Sequence, residues 1–251
     1  LGKGNDEMKT ILAGLAAFML FMGSATADLE VTEAVEILDA AVVELTPNRG
    51  EGHCTAFSIG GSDYMTAGHC VLGLFNKKSY IDNGDEWTTV SSITAGVWEK
   101  EDYSNKMKDW AVVHAHKELS EGVPLVLGCY ETPYVGMPIA YMGYPDPIQR
   151  YFGVGMISSL DISRLKHSGT IITNLTATGG ASGSPVISMD TGHVIGILTE
   201  LVTPPPGVRL AVALEGIQTT DYCLADQEVP PRQHESGMSS IHDLTSTDGS
   251  F

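Results

Sequence analysis

Hydrophobic positions through the middle of the chain fall in short runs broken by glycine, proline and polar residues. Cys54–Gly60 (CTAFSIG) stops at Gly60-Gly61 and resumes as Asp63–Val71 (DYMTAGHCV), which predicts a β-hairpin. Comparable runs begin at Thr88 (TTVSSITAGVW), Trp110 (WAVVHA), Met137 (MPIAYMGY), Phe152 (FGVGMISSL), Gly169 (GTIITNL), Ser184 (SPVISM), His193 (HVIGILTELV) and Val208 (VRLAVAL). Many short strands at regular spacing, without long helical periods, predict an all-β fold: an antiparallel barrel or sandwich. Val31–Leu45 is apolar but mixed in period and fits either helix or strand. Leu214–Tyr222 (LEGIQTTDY) predicts a short C-terminal helix. The polar stretch Lys117–Pro124 marks a seam between two strand-rich halves, giving units over 28–118 and 119–224.

The two ends read differently. From Met8 the chain runs MKTILAGLAAFMLFMGSATA, with one lysine, an apolar run and small residues at Ala25 and Ala27. That is the layout of a secretory signal peptide, so residues 1–27 are expected to be an upstream extension and a leader cleaved after Ala27. The expected location is secreted or periplasmic, with no membrane association after cleavage. Residues 225–251 are rich in Ser, Asp, Thr and Pro and predict a polar, mobile tail.

The formal net charge of −17 argues against phosphate-rich partners such as nucleic acids. Four cysteines, Cys54, Cys70, Cys129 and Cys223, suit an exported chain with two disulfides, although their count alone allows three pairings. No C-x-x-C or H-x-x-x-H spacing is present, so neither metal nor other cofactor is expected. His114 and His116 alternate along one predicted strand without an evident third ligand.

Three segments carry chemistry. Gly179–Pro185 (GGASGSP) surrounds Ser182 with glycines, which lets the backbone turn sharply and aims the N–H groups of Gly180 and Ser182 at one point, an oxyanion hole. Thr66–Val71 (TAGHCV) ends a strand with His69, beside a cysteine able to staple the loop. Lys108–Val113 (KDWAVV) sets Asp109 at the mouth of a buried strand, where a carboxylate needs a hydrogen-bonding partner. A histidine base, an aspartate that fixes its tautomer and a serine nucleophile are the parts that acyl transfer requires.

In this order and with these flanks, the chain resembles the chymotrypsin/trypsin-like serine peptidases, and within them the bacterial glutamyl-endopeptidase-like branch. YMGYP at Tyr141–Pro145 and GIL at Gly196–Leu198 add to the likeness, which spans roughly Cys54–Tyr222. The resemblance implies two six-stranded antiparallel β-barrels with His69, Asp109 and Ser182 as a triad between them. It also implies a monomer acting on polypeptide substrates, with disulfides Cys54–Cys70 and Cys129–Cys223.

Two positions depart from the pattern. Ala181 stands where trypsin-like enzymes carry the acid that pairs with a freed N-terminus, which excludes that mode of activation. Leu198 replaces the histidine that lines the primary pocket of glutamyl-specific relatives, and Thr176 replaces the aspartate that selects basic side chains. A neutral specificity pocket is therefore expected, lined by Thr176, Ala177, Leu198, Thr199, Glu200 and Leu201. Arg209, aligned one way, would enter it and favour acidic side chains. Two other readings compete with peptidase activity. A catalytically silent homologue acting as a binding module would ordinarily lack a triad member or the glycines. An α/β-hydrolase esterase needs G-x-S-x-G, and Ser184-Pro185 breaks that motif.

Overall fold

The structure is a computed structural model that describes residues 29–47, 53–71, 79–95, 109–119, 123–129, 131–146, 148–160, 170–202 and 208–213. The expected leader, the C-terminal helix, Cys223 and the polar tail lie outside the described residues. Among the described residues, no helix is long and apolar enough to cross a membrane.

The ambiguous N-terminal segment divides into both alternatives. Helix α1 spans Val31–Ala41 and opens on a capping box in which the Glu33 carboxylate accepts from the Glu30 N–H while Glu30 caps the first turn. Ala34, Leu38 and Ala41 form its buried stripe. Val42 then turns to extended geometry and begins β1, Val42–Pro47.

Twelve strands form two closed six-stranded antiparallel barrels. The first holds β1, β2 (Cys54–Gly60), β3 (Asp63–Thr66), β4 (Ser79–Asp82), β5 (Trp87–Ala95) and β6 (Ala111–Ala115), in the cyclic order β1-β2-β3-β6-β5-β4. The second holds β7 (Pro138–Gly143), β8 (Tyr151–Ser159), β9 (Thr170–Thr173), β10 (Pro185–Ser188), β11 (Val194–Val202) and β12 (Val208–Ala213), ordered β10-β11-β12-β9-β8-β7. The β2–β3 hairpin turns at the glycine pair as expected, with Gly60 and Gly61 both at positive φ. A four-residue helical turn, α2 (Gly68–Val71), follows β3.

Several strands are buried on both faces, which is why they read as continuous apolar runs rather than as an alternation. Val43, Ala56, Tyr64, Ala111 and Val113 fill the first barrel. Ile139, Tyr141, Val186 and Leu198 fill the second. Their neighbours Val42, Phe57, Met65, Val112, Ala140, Met142, Ile187 and Ile197 meet between the barrels, together with the stripe of α1. Each such large side chain contributes about 1.5–3 kcal/mol on burial, so the contact between barrels is part of the core.

Two further links span the barrels. The connector bonds backward through Leu125 N–H to Ser58 O and forward through Gly128 N–H to Val194 O. Arg150, ahead of β8, bonds Asp39 of α1, the Asn83 carbonyl and the Tyr144 hydroxyl.

Candidate active site

His69 lies on α2, immediately after β3, and Asp109 immediately before β6; the two strands pair, so these ends share one rim of the first barrel. Asp109 is 4% exposed, and both of its oxygens serve His69. Oδ1 accepts from the His69 backbone N–H at 2.8 Å, and Oδ2 lies 2.9 Å from Nδ1. A carboxylate only accepts, so Nδ1 carries a proton and Nε2 is left with its lone pair. Gly68 makes this approach possible: a Cβ there would lie 3.1 Å from both Asp109 Oδ1 and Trp110 N.

Ser182 sits in the turn ahead of β10, on the second barrel. Its carbonyl accepts from the Thr55 N–H at 2.8 Å. Thr55 follows Cys54, Cys54 is disulfide-bonded to Cys70, and Cys70 follows His69. Cys70 Sγ lies 3.7 Å from Ser182 O, so the turn that carries Ser182 meets the segment that carries His69 at the junction of the barrels. Cys129 is disulfide-bonded as well; its expected partner, Cys223, is outside the described residues.

The turn is fixed from several sides. Gly183, at φ +91°, donates to Leu198 O at 2.7 Å, and a Cβ on it would lie 1.9 Å from Thr55 O. Gly143 of the YMGYP motif allows the same closeness from β7, where a Cβ would lie 2.0 Å from Ser184 Oγ. Gly180 is at φ +85°, and its carbonyl accepts from Thr55 Oγ1 at 2.9 Å. The Gly179 carbonyl is held by the Asp146 N–H at 2.7 Å, which turns the Gly180 N–H to the opposite side of that peptide. Among the described residues, no protein acceptor takes the N–H of Gly180 or Ser182.

Of the expected pocket residues, Thr199 meets Ser182 directly: its carbonyl accepts from the Ser182 hydroxyl at 3.4 Å. Thr176 is exposed, Ala177 is buried, and the Thr176 carbonyl receives the Tyr141 hydroxyl. Leu198 is 3% exposed and belongs to the interior of the second barrel. Glu200 and Leu201 continue β11, where Leu201 is in register with Arg209 of β12 and Arg209 in turn with Thr173 of β9. His114 bonds Asp63 at 2.8 Å and Thr94 at 3.0 Å.

Three residues at the site carry no signal in the sequence. Thr55, 0% exposed, holds Ser182 through its N–H and links Gly180 O to the Tyr144 N–H through its hydroxyl. His53 and Asp146 flank the Gly180 backbone from the two barrels. The only hint of Thr55 and His53 is that they adjoin Cys54.

The fold recurs in solved structures. The inactive form of the Rv3671c protease from M. tuberculosis aligns at a TM-score of 0.55 and 18% identity, covering 72% of this chain and 86% of that one. A serine endoprotease from Yersinia pestis aligns at 0.56 and 18% identity, covering 73% and 62%. At that identity the likeness is one of fold alone. No curated protein matches the chain at the sequence level. The model of the trypsin-like peptidase domain matches residues 54–197, from the cysteine of β2 to the middle of β11 and across His69, Asp109 and Ser182. The chain thus belongs to the trypsin-like peptidase domain family.

Proposed function

We propose that the chain is a secreted serine endopeptidase in which Ser182 is the nucleophile, His69 the general base and Asp109 the group that orients the base. The observation that carries this reading is the double engagement of His69 by the buried Asp109, at 2.8 and 2.9 Å. It holds the ring in the tautomer whose Nε2 can take a proton.

In this mechanism Ser182 Oγ bonds to the carbonyl carbon of the scissile peptide while its proton passes to His69 Nε2. The N–H groups of Gly180 and Ser182 stabilise the oxyanion, each worth about 10²–10³ in rate. The imidazolium then gives its proton to the departing amine as the C–N bond breaks, leaving an acyl-enzyme. Water, deprotonated by the same Nε2, releases the acid and restores Ser182. The leader-like Met8–Ala27 and the Cys54–Cys70 disulfide support export. Retention of all three residues and of Gly180 favours an active enzyme over a silent homologue.

Thr176, Ala177 and Thr199 leave the pocket wall neutral, which favours uncharged side chains before the cut. Ser182→Ala is expected to abolish both casein cleavage and labelling by a fluorophosphonate; labelling that persists at another serine would sink the reading. Digestion of a peptide library measures the preference, and an enrichment of Glu or Asp would refute it.

A further inference from the structure

His53 immediately precedes β2, outside the proposed triad, and its ring meets groups from both barrels. Nε2 lies 3.1 Å from Asp146 Oδ1 on the loop after β7, and Nδ1 lies 3.5 Å from Glu44 Oε1 on β1. The ring also closes off one side of Gly180: a Cβ on that glycine would lie 2.9 Å from His53 Cδ2 and Nε2. His53 thus backs the peptide whose N–H serves as oxyanion donor, and Asp146, its partner, holds the carbonyl of that peptide through its own N–H.

We propose that His53 is a positioning residue for the oxyanion hole, and that its ring, seated between Glu44 and Asp146 and packed against Gly180, holds the Gly179–Gly180 peptide in its productive orientation. The proposal rests on the peptidase reading above. Carboxylates on two sides hold the ring in place. Glu44 and Asp146 touch it, and Asp82 of β4 is in register with Glu44. Arg150, the nearby cation, is already engaged by Tyr144, Asp39 and Asn83 O. The segment 178–182 carries no charged side chain. Nε2 is buried and, among the described residues, has no hydrogen-bond partner, so the ring braces the loop by packing against it.

His53→Ala removes the ring that backs Gly180. It is expected to lower kcat at least about tenfold, a fraction of the 10²–10³ lost with a whole donor, while KM stays within about twofold. A peptide aldehyde, which needs the oxyanion hole, should weaken in parallel with kcat. His53→Phe restores a ring in the same space and should recover most of kcat and of aldehyde binding.

Wild-type kcat in a folded His53→Ala variant would overturn the proposal, as would aldehyde binding that does not change in it, or a His53→Phe variant that turns over no better than His53→Ala. Fluorophosphonate titration of the wild type separates the two levels. Absence of labelling refutes the peptidase reading itself, whereas full labelling with unaffected variants refutes only the role of His53.

Discussion

Replacing Asp109 by asparagine keeps the shape of the side chain and removes its charge. If the asparagine Oδ1 keeps its bond to the His69 N–H, the amide nitrogen takes the place of Oδ2, 2.9 Å from Nδ1. An amide nitrogen only donates, so Nδ1 must accept, and the ring proton moves to Nε2, which can then no longer take one from Ser182. Rotating the amide instead sets its NH2 against the His69 backbone N–H, donor to donor, in a site where Asp109 is 4% exposed and water cannot readily intervene. Both orientations are unproductive. Turnover is expected to fall by about 10⁴, or roughly 5.4 kcal/mol of barrier. Loss of the charge-assisted bonds should destabilise the fold by about 1–3 kcal/mol. The assay is kcat on a chromogenic peptide amide, beside a thermal melt showing that the variant is folded. A folded variant turning over within tenfold of the wild type would refute the reasoning, and would mean that another carboxylate, such as Asp85 or Asp102, orients the base.

Gly183→Ala would place a Cβ 1.9 Å from Thr55 O and 2.3 Å from Thr66 Oγ1, at φ +91°. Strain and overpacking together should cost at least about 2 kcal/mol, seen as a Tm lower by roughly 4 °C or more; an unchanged Tm would mean that the turn does not press on β2. Burial pushes the Glu44 carboxyl above the usual carboxylate range, against the pull of His53 and with help from Asp82 and Asp146. A raised folded value means that its stabilising contribution is full below the ordinary range and is lost as pH rises through the raised one. Glu44→Gln should therefore melt higher than the wild type near pH 7 and converge with it in acid; a constant difference across that window would contradict the sign.

Much of this architecture is legible in the residues. The Gly60-Gly61 break places the first hairpin, and the turn glycines of GGASGSP are the ones that crowding at Gly180 and Gly183 demands. What escapes a linear reading is contact across the seam. Val31–Leu45 is ambiguous because Ala34 and Leu38 follow a helical stripe while Val42 and Val43 send alternate side chains to two different cores. Thr55 looks like any strand threonine until the second barrel brings Ser182, Gly180 and Tyr144 against it. His53 is equally silent, because Asp146 and Gly180 lie far from it in the chain. The bulge near Leu198–Glu200, which shifts the pairing of β11 with β12, is equally invisible in a linear reading.

The helix that precedes the first barrel has a consequence for how the molecule can be cut. Helix α1 leads into β1, yet it packs against β7, and the Leu29 N–H ahead of it meets Met189 O. Severing the polypeptide at the 117–124 seam would therefore not yield two self-sufficient pieces. The N-terminal fragment would carry a helix whose docking site is on the other fragment, which in turn would expose Ala140, Met142, Ile187 and Ile197 to water. Such fragments have reason to find each other again, so the protein is suited to reconstitution as a two-chain enzyme, with residues 29–41 as the handle by which one half grips the other.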